Sequence, residues 1–343
     1  MKRIFCTYFD HRYLPRGLAL ISSLRRCGSQ DEMWVLCLSV ECRQILESLA
    51  LPNIRLVTLA DLESARPELL RAKAERSMIE YYFTCSPNFI CYLFERVTDA
   101  EMVVYLDADL YFFDHVSLMF DEIGEAPVAI TPHAYPLRLK YLEKFGVYNV
   151  SSVSFRRTDE GLKCVRWWAD RCIEWCRDVP QADGRFADQG YLNWFPQVAP
   201  NLRVLHHPGI NLAPWNVANF RIESRNGRVF VEDQPLIFFH CHGVVRRFRW
   251  FYFNLHRVYG APLGEVLRNL VYRPYVAELV KWERVVAGRL TAEPQRKQTL
   301  ARGKRGADTV TLKDVARDLM RFAFRVADLV SGRAILVTNK SVY

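Results

Sequence analysis

The fold is decided by Met102-Val103-Val104-Tyr105-Leu106-Asp107-Ala108-Asp109-Leu110-Tyr111-Phe112-Phe113. Its first five residues are apolar or aromatic, with β-branched Val in the middle, and read as a buried strand rather than a helix. Two carboxylates one residue apart close that strand, and the chain then turns apolar again. Burying one charge beside a core strand is costly, and burying two like charges is costlier, unless a cation or hydrogen-bond donors compensate. With a single residue between them, both carboxylates can face one side of the strand end. Such a pair suits two hard oxygen ligands on one Mg²⁺ or Mn²⁺ that carries a phosphate. Taken alone, the triplet is equally compatible with two aspartates that cap a strand and enter a loop.

Toward the N-terminus the pattern repeats a strand–helix rhythm. Ile4 to Phe9 is a short apolar strand ending in the polar and aromatic cluster Asp10-His11-Arg12-Tyr13. Leu14 to Arg26 places apolar residues at 14, 18, 21 and 24, one face of a helix. Met33 to Ser39 reads as a strand, Cys42 to Leu49 as a helix and Ile54 to Thr58 as a third strand. This β-α-β-α-β order predicts a parallel sheet with helices on its faces. Ligands of such sheets bind beyond the C-terminal strand ends, so residues 8–13 form a candidate ligand rim. No G-x-G-x-x-G follows the first strand and no G-x-x-x-x-G-K-[ST] occurs, which argues against dinucleotide dehydrogenases and P-loop NTPases. Ala60 to Arg96 reads as largely helical. Lys73, Arg76 and Glu80 can share one face there, and Lys73 is a candidate cofactor-binding cation with Arg76 beside it, although a charged helix face is usually just solvated.

Toward the C-terminus, Val128 to Ile130 is a strand followed by Thr131-Pro132-His133, and the polar turn at Gly146 to Asn149 feeds a strand reaching Phe155. Leu162 to Arg177 is a Trp-rich amphipathic helix suited to packing. Asp188-Gln189 heads the helical stretch up to Phe195, where a carboxylate also serves as an N-cap. Asn226-Gly227 is a hairpin turn. Pro235 to Phe239 is a strand ending in His240-Cys241-His242-Gly243. A histidine there is a fair metal ligand, Gly243 would let backbone approach a phosphate, and Arg246 and Arg247 beyond it match phosphate oxygens with guanidinium forks. Helix-like sequence runs on to about Val286. A basic linker, 291–309, leads to Leu312 to Val330, whose apolar and basic residues fall on opposite sides of a helix. That arrangement predicts contact with an anionic membrane surface or, equally, packing on the core.

Composition sets the bounds. The chain has 343 residues, half of them hydrophobic, so a sizeable core is expected. Its net charge is +9, but residues 291–343 hold 11 Lys/Arg against 5 Asp/Glu, which is +6 of that total. A nearly balanced body argues against a nucleic-acid binder. The ten cysteines show no zinc-like spacing and read as buried thiols of a reducing compartment. No signal peptide and no apolar run of membrane-spanning length is evident, so the expected location is cytoplasmic, peripheral at the inner face of the cytoplasmic membrane. The expected organisation is a catalytic domain over 1–250, helices packed on it over 251–290, and the basic linker and amphipathic helix over 291–343.

Singly these motifs are weak, but their order resembles the GT-A glycosyltransferases, most closely the retaining family 8 type, over about residues 3–250. Tyr105-Leu106-Asp107-Ala108-Asp109 is similar to that family's D-x-D metal motif. Asp188-Gln189-Gly190-Tyr191-Leu192-Asn193 matches D-Q-x-x-L-N, and His240-Cys241-His242-Gly243-Val244-Val245-Arg246 fits H-F-x-G-x-x-K with Cys for Phe and Arg for Lys. The resemblance implies a GT-A (Rossmann-like) α/β fold: a mixed, mainly parallel sheet flanked by helices, with a C-terminal helical extension. It implies a Mn²⁺ or Mg²⁺ held by Asp107, Asp109 and His240, with His242 as the rival third ligand. It implies a UDP-sugar donor whose uridine lies at Asp10 and Tyr13 with Thr7 or Tyr8 nearby. Asn149 would touch the donor sugar, Arg246 would take the diphosphate, Asp188 would bind sugar hydroxyls and Gln189 would lie beneath the anomeric carbon. The acceptor implied is a glycan or a lipid-linked glycan. Two departures, Ser151 in the Asn149 turn and Arg246-Arg247-Phe248 for K-P-W, leave the donor sugar open.

The chemistry is also reasonable on the residues' own terms, because a departing nucleoside diphosphate needs a divalent ion and cationic side chains more than an acid. Two other readings remain: an inverting transferase with Asp188 as base, and a sugar-nucleotide binding module without turnover. A haloacid-dehalogenase-type phosphatase is disfavoured because Leu110-Tyr111 follows the second aspartate, deep in the chain.

Overall fold

The computed structural model describes residues 2–247, 250–289, 312–338 and 342. The expected linker, 291–309, lies outside the described residues. The chain opens as β1 (Arg3–Phe9), α1 (Leu14–Arg26), β2 (Glu32–Cys37), α2 (Val40–Leu49) and β3 (Ile54–Thr58). Three helices follow, α3 (Leu59–Ala65), α4 (Glu68–Glu75) and α5 (Met78–Arg96), and then β4 (Met102–Leu106), β5 (Leu110–Phe112), α6 (Ser117–Ile123), β6 (Val128–Pro132) and β7 (Tyr148–Arg156). Beyond them lie α7 (Asp159–Glu174), α8 (Phe195–Val198) and β8 (Arg203–Val204).

Local sequence explains where these elements begin. Thr58 with Asp61, and Ser77 with Glu80, each form a reciprocal capping box at the starts of α3 and α5. Ser39 caps α2 and Thr158 caps α7, so α7 begins three residues before the expected Leu162.

Seven strands form the central sheet in the order β3-β2-β1-β4-β7-β6-β8. Every neighbouring pair is parallel except those made by β7, which runs antiparallel to both β4 and β6. The mixed, mainly parallel α/β sheet expected from the sequence is therefore present. All five residues of β4 are buried. Met102, Val104 and Leu106 join Phe5 and Phe9 in one core with α1, α2 and α6, whereas Val103 and Tyr105 join Ile4 and Cys6 in a second core with α5 and α7. Alternation along the strands thus feeds two cores, one on each face of the sheet. All ten cysteines are buried and free, as expected.

A meander of β9 (Ile222–Arg225), β10 (Arg228–Val231) and β11 (Gln234–Pro235) follows, with Asn226 and Gly227 both at positive φ in its turn. Then β12 (Phe238–His240) pairs antiparallel with β5, so that His240 lies opposite Leu110. The strand expected to end at Phe239 thus includes His240. Next come β13 (Val245–Arg247) and β14 (Phe251–Phe253), α9 (Arg273–Ala287), α10 (Leu312–Val330) and β15 (Ile335–Leu336). Where continuous helix was expected after residue 250, β14 pairs with both β13 and β15, and α9 packs on α1. Arg257 is ion-paired with the buried Asp328 at 2.7 Å, which fastens the end of α10 to the body.

Candidate active site

A cavity of about 1130 Å³ opens at the C-terminal ends of the parallel strands. Its wall brings together Tyr8, Asp10, Tyr13, Asp107, Asp109, Asn149, Asp188, Gln189, His240, His242 and Arg246, contributed by five separate stretches of chain. This is where ligands of open α/β sheets bind.

The β5–β12 pairing builds its floor. Leu110 leads directly out of the D-x-D turn and sits opposite His240, and the Cys241 N–H donates to the Asp109 carbonyl at 3.0 Å. His240 Nε2 consequently lies 3.1 Å from Asp109 Oδ1 and 4.0 Å from Asp107 Oδ2. Two ligand atoms that each sit about 2.1 Å from one ion are at most about 4.2 Å apart, so these separations fit a shared divalent cation. Ligand atoms of Asp109, His240 and His242 also lie within 4.8 Å of one another. A carboxylate-and-imidazole set can hold a divalent first-row metal ion. Of the two histidines, His240 is buried and within reach of both carboxylates, whereas His242 is exposed.

Electrostatics divides the carboxylates. Burial and the neighbouring Asp109 raise the Asp107 carboxyl to about 6, against the pull of His240 and of the Tyr105 hydroxyl, which donates to it at 2.7 Å. Burial also opposes ionisation of Asp109, but His240, with smaller contributions from His242 and Arg16, outweighs it and holds Asp109 below the usual carboxylate range. Burial lowers His240, and the two aspartates more than reverse this. His133 is lowered to about 3 by burial and by His240, so its ring is neutral; its Nε2 is 3.0 Å from the Asn149 amide nitrogen.

Asp188 stands apart from the cluster of Asp107, Asp109 and His240. Its carboxylate is buried with Oδ2 lacking a protein partner. Burial, and secondly the Asp107 charge, push it up to about 7. Ala187, just before it, is held at φ 46, a left-handed conformation that costs a non-glycine residue on the order of 1 kcal/mol. Gln189 is fully engaged. Its amide oxygen accepts from Asn149 Nδ2 at 3.1 Å and from the Val150 N–H at 3.2 Å, and its Nε2 donates to the Phe145 carbonyl at 2.8 Å. Both lone pairs of that oxygen are in use, and Gln189 pins the Asn149 turn.

At the opposite side, Asp10 Oδ1 accepts from the Arg12 and Tyr13 N–H groups at 2.9 and 3.1 Å, folding the loop that presents Tyr13. Arg246 is bonded to Glu283 of α9 at 2.5 Å.

Three expected ligand-binding residues stand off the wall. Lys73 pairs with Glu63 at 2.7 Å, half exposed on α4. Thr7 is buried within β1. Gly243 takes φ +68 and is covered by Leu255, so its lack of a side chain serves packing rather than a phosphate. Arg76, the other helical candidate, is spent on the Cys172 and Ile173 carbonyls of α7. Sequence reasoning missed Arg16, Tyr82, Trp215 and Glu283, which also line the cavity. Only Arg16, one turn past Tyr13, carried a signal: a cation following the ligand rim.

No protein-family model matches the chain. Among curated proteins it is similar to the uncharacterized protein YfnF of Bacillus subtilis (strain 168), 31% identical over 251 residues that span 71% of this chain and 82% of that protein. It is also similar to the uncharacterized protein YfnD of the same organism, 29% identical over 283 residues, 81% and 89% of the two chains. Among solved structures it is similar to the galactosyltransferase LgtC in complex with donor and acceptor sugar analogs, at 15% identity and a TM-score of 0.48, covering 85% of this chain and 98% of that one. A further likeness is to the glycosyltransferase GlyE of Streptococcus pneumoniae TIGR4, with 15% identity, a TM-score of 0.47 and coverages of 83% and 64%. At such scores neither solved structure bears on what this cavity does.

Proposed function

This chain belongs to the family of the Bacillus subtilis protein YfnF, and we propose that it is a metal-dependent glycosyltransferase that moves a sugar from a UDP-sugar to a glycan or lipid-linked acceptor, with retention. The observation that carries the reading is that the Asp107 and Asp109 carboxylates both lie within 4.0 Å of His240 Nε2, on the floor of a cavity that also holds Asp188. Those three residues would hold a Mn²⁺ or Mg²⁺, which when bound offsets the charge of the donor's two phosphates. The chain's own residues do the rest. Asp10, Tyr8 and Tyr13 hold the uridine, and Asn149, fixed by Gln189 and His133, touches the donor sugar. Arg246 faces the diphosphate, and Asp188 binds sugar hydroxyls through the carboxylate oxygen that has no protein partner.

Thermal unfolding with UDP, GDP, CMP and TMP, each with Mn²⁺ or with EDTA, tests this. A ligand that binds the native state raises the midpoint by mass action. We expect a rise with UDP and Mn²⁺, lost with EDTA and in Asp109→Ala. No shift with any nucleotide would remove the reading.

One observation favours a second outcome for the transfer. A carboxyl near pH 7 is well poised as a general base, and Asp188 lies at about 7. An inverting reaction would use it to deprotonate the acceptor hydroxyl. The anomeric configuration of the first-formed product, read by NMR, decides between the two.

We also propose that α10 lies on an anionic membrane surface. Among the described residues no helix is long and apolar enough to cross a membrane. On α10, however, Phe322, Val326 and Val330 follow one another at intervals of four and are 56%, 43% and 85% exposed, while Asp328 points to the body.

A further inference from the structure

Four arginines border the cavity, and their partners separate them. Arg246 is neutralised by Glu283, whose other oxygen accepts from the Tyr252 hydroxyl at 2.5 Å. The Arg12 guanidinium lies 4.0 Å from Asp10 and is largely exposed. Arg247 donates back to the Arg246 carbonyl at the rim. Arg16, on the first turn of α1, is half-buried and makes no ion pair with a carboxylate among the described residues. Its guanidinium donates to the Val244 carbonyl at 2.8 Å and lies 4.5 Å from the centre of the Tyr13 ring.

These contacts fix where the charge stands. The Val244 bond ties Arg16 to the loop just after His240 and His242, and Tyr13 ties it to the rim that receives the nucleoside. Its positive charge is also felt at Asp109. An anion spanning from the rim to the metal ligands therefore passes Arg16, which Asp109 and Glu283 influence without a direct bond, whereas the Arg246 guanidinium is itself bonded to Glu283. A guanidinium so held keeps free N–H groups for the two-oxygen contact that phosphates favour. Its place in the first turn of α1 adds the partial positive charge of a helix start.

We propose that Arg16 is the principal side chain that takes the diphosphate of the nucleotide donor, ahead of Arg246. This inference rests on the transferase reading above. UDP and uridine binding by wild type, Arg16→Lys and Arg16→Gln, each with Mn²⁺ and followed by isothermal calorimetry, tests it.

We expect Arg16→Gln to weaken UDP about tenfold or more and uridine less than about twofold, with Arg16→Lys in between because it keeps the charge but loses the fork. The uridine comparison guards against a variant that merely misfolds, since the Val244 bond is lost along with the charge. Equal losses for UDP and uridine would make Arg16 a support of the fold and overturn the proposal, as would unchanged UDP binding in Arg16→Gln. Wild type that binds neither ligand would remove the transferase reading itself, and the role of Arg16 with it.

Discussion

Asp188 shows how a single buried carboxyl links the site to stability. It is 2% exposed, and burial together with Asp107 raises it to about 7. In an unfolded chain the same group titrates near about 4. Between these values the native state keeps a proton that the unfolded chain has lost, so the contribution of Asp188 is full below pH 4 and is lost as pH rises to 7. Each unit of difference is worth about 1.4 kcal/mol before relaxation reduces it. Asp188→Asn carries no charge at any pH. We therefore expect it to raise Tm relative to wild type by roughly 5 °C more at pH 8 than at pH 4. A change of equal size at both pH values would mean that the carboxyl is not held in this environment. At the same scale, Gln189 was legible as a cavity residue, whereas its bonds to Asn149, Val150 and Phe145 were not, because a sequence does not say which hydrogen bonds an amide makes.

The element that brings the proposed metal ligands together is the short β5–β12 pair, with the turn that follows it. Two three-residue strands bring residues as far as 130 positions apart into register, and a one-residue slip would point the His240 ring to the other face. The turn after β12 relies on Gly243. An added Cβ would come within 2.3 Å of the Leu255 side chain, and φ is +68. Gly243→Ala therefore costs about 1–3 kcal/mol from the strained backbone and the crowded contact. We expect a fall in Tm of several degrees and, because the turn follows directly on His240, weaker Mn²⁺ binding measured by calorimetry. Unchanged Tm and Mn²⁺ affinity would show that the turn yields without disturbing β12.

Across the whole molecule, the parallel sheet sends its strand ends and their loops to one edge, while the C-terminal segments knit to the body through β15 and through Arg257 with Asp328. That attachment leaves Phe322, Val326 and Val330 of α10 outward. A membrane role for this surface is tested without deleting β15, by Phe322→Ser combined with Val326→Ser. Replacing two buried apolar side chains removes on the order of 3–5 kcal/mol of membrane affinity. The double variant should then lose flotation with phosphatidylglycerol vesicles by at least about tenfold and keep its UDP affinity. Flotation equal to that of wild type would sink the proposal and leave this face for another protein surface.

The chain's alternating and helical apolar patterns determined the α/β class, the parallel opening of the sheet, the buried free thiols and the candidate residues near Asp107, Asp188 and His240. Periodicity and capping are local properties, and they survive being read one segment at a time. Partnership is not local. That β7 runs antiparallel, that β5 pairs with β12, that Gly243 answers to Leu255 and that Lys73 is taken by Glu63 all depend on contacts between distant segments. The same holds for the cavity's cations. Arg16 and Arg246 look alike in sequence, and only the packing of α9 against α1 sets Glu283 in direct contact with Arg246 and leaves Arg16 without a bonded carboxylate among the described residues.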